Sequence, residues 1–431
     1  MNICMMTNTY LPHVGGVARS VSTFTEEYRR RRHRVLVVAP EFEGPPLPAR
    51  QESVVERVPA IQNFNGSDFS VRLPLAAGLS DRLTAFNAHI IHAHHPFLLG
   101  DTALRIAADK NAPVIFTHHT RYEDYTHYVP FDSPALKEFA ISLSTEFANL
   151  CDGVIAPSES IEQLIRSRGV TTPIKVVPTG IDLASFARGD GARARRKFKI
   201  PPAAFVIGHV GRLAPEKNLP FLTAAIAQFL RSAPEAVFLL VGGGPSEADV
   251  RAVCEKAGVG DRLILAGKQT GRPLHDAYRA MDVFAFASFS ETQGMVLAEA
   301  MAAGLPVVAL DANGVREVVQ HERNGFLLAA DATVHDFARH LARLREQKRE
   351  CAGFAATASE TAKQFSREHC AELALDFYRE VRRATRRERL VNEQSPWSSF
   401  LNRLQVEWNL LASTATAVID AMRSDGEAAA S

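Results

Sequence analysis

Short apolar runs recur along the chain, separated by polar-faced segments of helix length. A first series comprises Ile3–Met6, Val35–Ala39, His89–His92, Val114–Thr117, Gly153–Ala156 and Lys175–Val177. A second comprises Phe205–Val210, Val237–Val241, Leu263–Ala266, Val283–Ala287 and Val307–Leu310. Strand-length runs alternating with helix-length segments predict parallel sheets in an α/β protein, here restarted once. Between the two series, Arg188–Phe198 (RGDGARARRKF) is polar and glycine-bearing and reads as an interdomain connection. The expected division is a Rossmann-like domain over 1–185, a second over 186–366, and C-terminal helices over 367–431. Phe365–Arg383 is amphipathic. A second stripe runs through Trp397, Leu401, Leu404, Trp408, Leu411, Ala415, Val418 and Met422, at alternating spacings of four and three. Its opposite face carries both signs (Arg403, Glu407, Asp420, Arg423), which favours packing on the protein over a membrane anchor.

Composition narrows the function classes. A formal net charge of +1 provides no field that would gather nucleic acid. Five scattered cysteines with no Cys-x-x-Cys pair predict neither a disulfide framework nor a structural zinc site, and fit a reducing compartment. No apolar stretch reaches the ~18 residues of a membrane span, and the N-terminus reads as a strand rather than a signal peptide. The expected location is cytoplasmic, with peripheral contact to the inner face of the membrane.

Ligands of such sheets bind beyond the carboxyl ends of the strands, so the loops there carry the chemistry. Asp282–Leu310 reads as strand, loop, helix, glycine stop and strand. The helix is expected to start near Gly294, where the amides of Gly294, Met295 and Val296 and the positive end of the dipole would hold phosphate. Glu291 lies before this helix and Glu299 within it, on the face of Met295; a carboxylate there suits a ribose diol. Val206–Leu222 brings Arg212 to a strand end and Lys217 to a helix start, two cations able to neutralise a diphosphate. The chain has no Asp-x-Asp, the usual anchor for a magnesium diphosphate, so those cations and backbone donors would have to meet the leaving-group charge. Gly15 and Gly16 precede a helix, which allows close backbone approach to a ligand. Neither this loop nor VGGGPSE meets the dinucleotide fingerprint. After Thr117 the chain releases His118, His119, Arg121, Tyr122, Glu123, Asp124, Tyr125, His127 and Tyr128, which suggests a sugar or acceptor site. No histidine spacing, His92-Ala-His94-His95 included, matches a zinc pattern.

Taken together, GGVARSV, FTHHT, VVPTGID, GRLAPEKN, VGGGP and SETQGMVLAEAMAAGLPVVA resemble glycosyltransferase family four, the retaining enzymes of the GT-B fold. The resemblance implies two Rossmann-like domains facing a cleft, an acceptor side and a nucleotide-sugar side, with a C-terminal helix crossing back to the first domain. It implies Glu299 as ribose ligand, Glu291 as the residue meeting the transferred sugar, Arg212 and Lys217 as diphosphate clamp, Gly16 at the phosphate and His119 lining the sugar pocket. It also implies no metal and no cofactor, and attack on the face from which the phosphate departs. His119–Tyr128 is similar to the bacterial branch that glucosylates diacylglycerol, with His118 standing where the family more often has an apolar or aromatic residue. Tyr122, Glu123, Asp124 and Tyr125 are then candidate acceptor residues, with a UDP-sugar donor and a lipid acceptor as partners. Transfer to a soluble sugar or polysaccharide precursor is the alternative within the family; a nucleotide-sugar epimerase and a catalytically dead binding protein are those outside it. With two cations where a metal would sit, activity is expected to survive excess EDTA; abolition, with rescue by magnesium or manganese, is the contrary result.

Overall fold

A computed structural model describes residues 1–13, 15–42, 47–61, 71–72, 79–124, 133–289 and 291–391. The stripe from Trp397 to Met422 lies outside these residues. The chain divides into two compact units, Met1–Gly180 together with the chain from Cys370, and Ile181–His369.

The first unit is built on seven parallel strands: β1 (Asn2–Met6), β2 (Arg34–Pro40), β3 (Val55–Val58), β4 (Ile90–Ala93), β5 (Val114–Thr117), β6 (Gly153–Ala156) and β7 (Ile174–Val176). Their order is β3-β2-β1-β4-β5-β6-β7. Alternate residues point to opposite faces and both faces are covered. Cys4, Met6, Leu36, Val38, Ile91, Ala93, Val114 and Phe116 enter one apolar cluster, while Ile3, Met5, Val35, Val37, Ile90 and Ile115 enter the other. That double burial is why these strands read as unbroken apolar runs.

Two helices share the second of those clusters. The helix Gly16–Arg30 contributes Val21, Phe24 and Tyr28, and the helix Arg367–Val391 contributes Cys370, Ala371, Ala374, Leu375, Phe377, Tyr378 and Val381. The latter set recurs at helical spacing and forms one buried stripe. Gly153 opens β6 to this helix: a Cβ there would lie 2.8 Å from Phe377 and 2.9 Å from Val381. The expected return of a C-terminal helix to the N-terminal domain is borne out. The arginine-rich end of the first helix is engaged within the same unit. Arg30 and Arg31 pair with Glu27, Arg31 also with Glu372, and Arg34 lies over the Phe86 ring at 5.4 Å.

The second unit repeats the plan with β8 (Phe205–Val210), β9 (Ala236–Val241), β10 (Leu263–Gly267), β11 (Val283–Phe286), β12 (Val307–Leu310) and β13 (Gly325–Leu328). The order is β10-β9-β8-β11-β12-β13. In each sheet the order reverses once, between β1 and β4 and between β8 and β11, which marks the switch point where ligands of open sheets bind.

Three findings depart from the sequence reading. Edge strand β3 was not anticipated because its apolar residues are only Val55 and Val58, flanking Glu56 and Arg57. Edge strand β13 was masked by the polar turn before it, where buried Asn324 donates to the Val318 carbonyl at 2.9 Å. The supposed connection Arg188–Phe198 is largely a helix, Gly191–Lys197, capped by Asp190 and joined to the second unit through Arg193–Asp276 and Arg195–Asp282. Its glycines serve close approach rather than flexibility: a Cβ on Gly189 would lie 2.3 Å from the His275 carbonyl, and one on Gly191 2.1 Å from that of Arg279.

Replacing Phe377 with alanine removes a buried ring between the C-terminal helix and β6. We expect the calorimetric transition of the first unit to lose about 3–5 kcal/mol, the usual cost of such a cavity. A loss below about 1 kcal/mol would mean that the helix is not anchored there.

Candidate functional site

At the switch point of the second sheet, two loops touch backbone to backbone. A Cβ on Gly242, after β9, would fall 1.8 Å from the Gly211 carbonyl oxygen, and one on Gly244 2.3 Å from that of Leu213. The first and third glycines of VGGGP are therefore glycine because the loop carrying Arg212 lies against them. A second lacing joins that loop to the one after β11: the Glu216 carbonyl accepts from the Phe289 amide at 3.1 Å and from the Ser288 hydroxyl at 3.2 Å.

This lacing places Lys217 beside Glu291. The Lys217 ammonium donates to Glu291 Oε1 at 2.6 Å, with the two side chains only 16% and 14% exposed. Arg212, on the same loop, is exposed. The helix Met295–Ala302 starts from Gly294, whose φ of 69° is left-handed and whose Cβ would lie 2.8 Å from the Gly314 carbonyl. Glycine is required there on both counts. As in any first turn, the amides of partly exposed Met295 and Val296 lack intrahelical acceptors, and this helix has neither a side-chain cap bond nor an acidic residue in its first turn. Glu299, one turn on, is 1% exposed and accepts a hydrogen bond from the Tyr278 hydroxyl at 2.8 Å. Neither glutamate is a solvated surface group. Beneath the loops, His209 is sealed between β8 and β11. Its Nδ1 bonds the Ala285 carbonyl at 3.0 Å while its Nε2 has no partner among the described residues, and burial lowers its pKa from 6.5 to about 4.

The first unit collects its histidines at the matching switch point. His94 follows β4 and His119 follows β5, with His94 Nδ1 and His119 Nε2 2.8 Å apart. His92 bonds the Thr117 hydroxyl through Nε2 at 2.6 Å and the Tyr378 hydroxyl through Nδ1 at 2.6 Å. Tyr122 stacks edge-on against His118 and Phe97. Glu123 accepts from Arg168 at 2.6 Å and from Arg121 at 3.3 Å. Burial works to raise its pKa, but the arginines outweigh it and hold the carboxyl below its usual range. Asp124 pairs with Arg121 at 3.3 Å. Tyr125 lies outside the described residues. Gly15 caps the helix Gly16–Arg30, and a Cβ on Gly16 would meet nothing within 4 Å, so the backbone faces open space. Among the described residues no cluster of His, Cys, Asp or Glu could hold a metal ion, and no helix is long and apolar enough to cross a membrane.

Comparison with known proteins decides what this arrangement belongs to. Residues 14–185 match Glycosyltransferase Family 4, and residues 190–364 match Glycosyl transferases group 1. The chain is 31% identical over 319 residues to an alpha-monoglucosyldiacylglycerol synthase of Streptococcus pneumoniae, covering 72% of this chain and 71% of that protein. The chain belongs to glycosyltransferase family 4. It is 28% identical to a GDP-mannose-dependent alpha-mannosyltransferase of Mycobacterium tuberculosis, over 80% of this chain and 89% of the other. Among solved structures, the Anabaena HepE complex with UDP superposes with a TM-score of 0.68 at 22% identity, covering 88% of this chain and all of that one. The fold is GT-B, and the family-4 enzyme is a retaining glycosyltransferase that draws on a nucleotide-sugar donor.

The structure thus brings Lys217 to Glu291 and His119 to His94, and sets Glu299 on the helix that begins at Gly294. Sequence reasoning missed Tyr278, which holds Glu299 from 21 residues away, and passed over His209. The one available signal for His209 was a lone imidazole inside the otherwise apolar strand VIGHV.

Because His209 stays neutral in the folded unit but takes a proton below about 6.5 when unfolded, falling pH favours unfolding through this group. The second unit is expected to lose up to about 1.4 kcal/mol per pH unit between 6.5 and 4 from His209 alone. Calorimetry of His209→Asn, which keeps a donor for the Ala285 carbonyl, is expected to show a flatter profile over that window. An unchanged slope would count against a neutral buried His209.

Proposed function

We propose that this family-4 enzyme transfers glucose from UDP-glucose to diacylglycerol at the cytoplasmic surface of a membrane. The supporting observation is the string from His119 to Tyr128, similar to the diacylglycerol-glucosylating branch, together with the 31% identity to a protein named for that reaction. In this reading the acceptor hydroxyl attacks the anomeric carbon on the face from which the diphosphate departs. The new C–O bond forms as the bond from C1 to the phosphate oxygen breaks, and the hydroxyl proton passes to that leaving oxygen. Nothing in the balance requires a metal.

Each residue then has one task. Arg212, Lys217 and the amides of Gly294, Met295 and Val296 meet the diphosphate; Glu299 accepts the ribose hydroxyls; Glu291 faces the transferred sugar. In the first unit Gly15 and Gly16 let backbone approach the phosphate, His119 meets the sugar, and Tyr122, Glu123, Asp124 and Tyr125 form the acceptor side. The 2.6 Å contact between Lys217 and Glu291 supports their assignment. In a nucleotide sugar the diphosphate and the sugar ring share a single oxygen, so the groups that hold them must be neighbours. Tyr278 supports the role of Glu299 by fixing its carboxylate before the donor arrives.

Three measurements test this reading. Titration calorimetry with UDP is expected to lose binding for Glu299→Ala and to keep it for Glu291→Ala, whose turnover falls instead; equal losses of binding would contradict the assignment. Arg212→Ala and Lys217→Ala are each expected to lose about 2–4 kcal/mol of transition-state stabilisation. With dioleoylglycerol in mixed micelles, UDP-glucose is expected to give a glucosylated lipid with retained configuration and GDP-mannose no glycolipid. Transfer only from GDP-mannose, or only to a water-soluble sugar, would overturn the donor or the acceptor respectively.

A further inference from the structure

We propose that His94 is a positioning residue for sugar transfer: its Nδ1–H donates to His119 Nε2 and so turns His119 into a fixed Nδ1–H donor toward the transferred sugar. The inference rests on the reading that His119 meets that sugar.

The geometry constrains both rings. His94 is fully buried, its Nδ1 lies 2.8 Å from His119 Nε2, and the two rings meet edge to edge, their centres 5.1 Å and their planes 24° apart. On its other side His94 lies 4.1 Å from the His92 ring, which is itself clamped between the Tyr378 and Thr117 hydroxyls. The turn holding His94 is pinned as well. Its amide donates to the Met6 carbonyl at 2.9 Å, and the next residue, His95, accepts from the Asn8 amide at 3.1 Å. Rotation of His94 would break contacts on every side.

The direction of the shared proton follows from the remaining nitrogen. His94 Nε2 is buried with no hydrogen-bond partner among the described residues. A buried orphaned N–H is the rarer defect in proteins, which leaves Nε2 bare and puts the proton on Nδ1, between the rings. Burial keeps both imidazoles neutral, so His119 receives that proton as an acceptor and carries its own on Nδ1. His119 is the partly exposed member of the pair and the one able to reach a ligand. The second ring thus sets which nitrogen of the first can donate.

The test combines a double-mutant cycle with a spectroscopic readout. The substrate is UDP-glucose, or GDP-mannose if that is what the wild type turns over, read as release of nucleoside diphosphate. His94→Phe keeps a ring against His92 and removes the donor, and is expected to lower kcat about tenfold, the low end of the loss seen when a group that orients a functional imidazole is removed. UDP affinity is expected to be unchanged. His94→Asn, whose amide reaches the place of Nδ1, is expected to restore most of the turnover. In a His119→Ala background His94→Phe is expected to cost nothing further. Unchanged turnover in His119→Ala would remove the reading of His119 itself. A loss in His119→Ala with none in His94→Phe, or losses that multiply, would overturn the inference alone. Should His94→Phe fail to fold, histidine 15N spectra of the wild-type full chain still decide: a His119 protonated on Nε2 overturns the inference, and one protonated on Nδ1 supports it.

Discussion

The arrangement of the second unit follows from a constraint on backbone. Where β8 and β9 end, their loops press together so closely that no side chain fits at Gly242 or Gly244. That contact holds the stretch from Gly211 to Lys217 in place, and the carbonyl of Glu216 then captures the loop after β11. A cation and a carboxylate 74 residues apart in sequence therefore meet at 2.6 Å. The glycines contribute no chemistry of their own; they make the surface on which charged groups can be fixed relative to one another.

Fixation also governs the charges themselves. An isolated buried carboxylate is costly, and a native protein tolerates one only where donors are already aimed at it. Tyr278 supplies such a donor to Glu299, and Lys217 supplies one to Glu291. In the first unit the same logic is applied to neutral imidazoles. His92 is satisfied at both nitrogens, from the C-terminal helix on one side and from β5 on the other. Groups held in this way need little reorganisation when a ligand's charge arrives, which is the condition for electrostatic stabilisation of a leaving diphosphate.

Much of this architecture was legible in the chain, for a physical reason. Central strands of a parallel sheet are buried on both faces, so Val114–Thr117 and Phe205–Val210 announce themselves as apolar runs with the ends the structure shows. Two edge strands escaped: Val55–Val58 has a charged pair at its centre, and the four residues Gly325–Leu328 follow directly on the polar turn at Asn324. Gly294 was legible as a helix start because its surroundings in sequence say so. The pairing of Lys217 with Glu291, of Glu299 with Tyr278 and of His94 with His119 was not, since each depends on contacts made only after two sheet strands have been laid side by side. Arg188–Phe198 was misread for a related reason: glycine and arginine look alike in a tether and in a tightly docked helix, and only the carbonyls of His275 and Arg279 distinguish them.

The helix Arg367–Val391 gives the chain an asymmetric assembly problem. The second unit is contiguous, from Ile181 to His369, whereas the first is interrupted and regains its covering helix only from Cys370 onward. During synthesis the sheet face carrying Ile3 and Met5 must wait, with the helix Gly16–Arg30 as its cover, until nearly two hundred further residues have emerged and the second helix can dock. The unit translated first is thus the last to complete its core. A chain cut short anywhere before Cys370 presents an apolar sheet face rather than a usable half-enzyme.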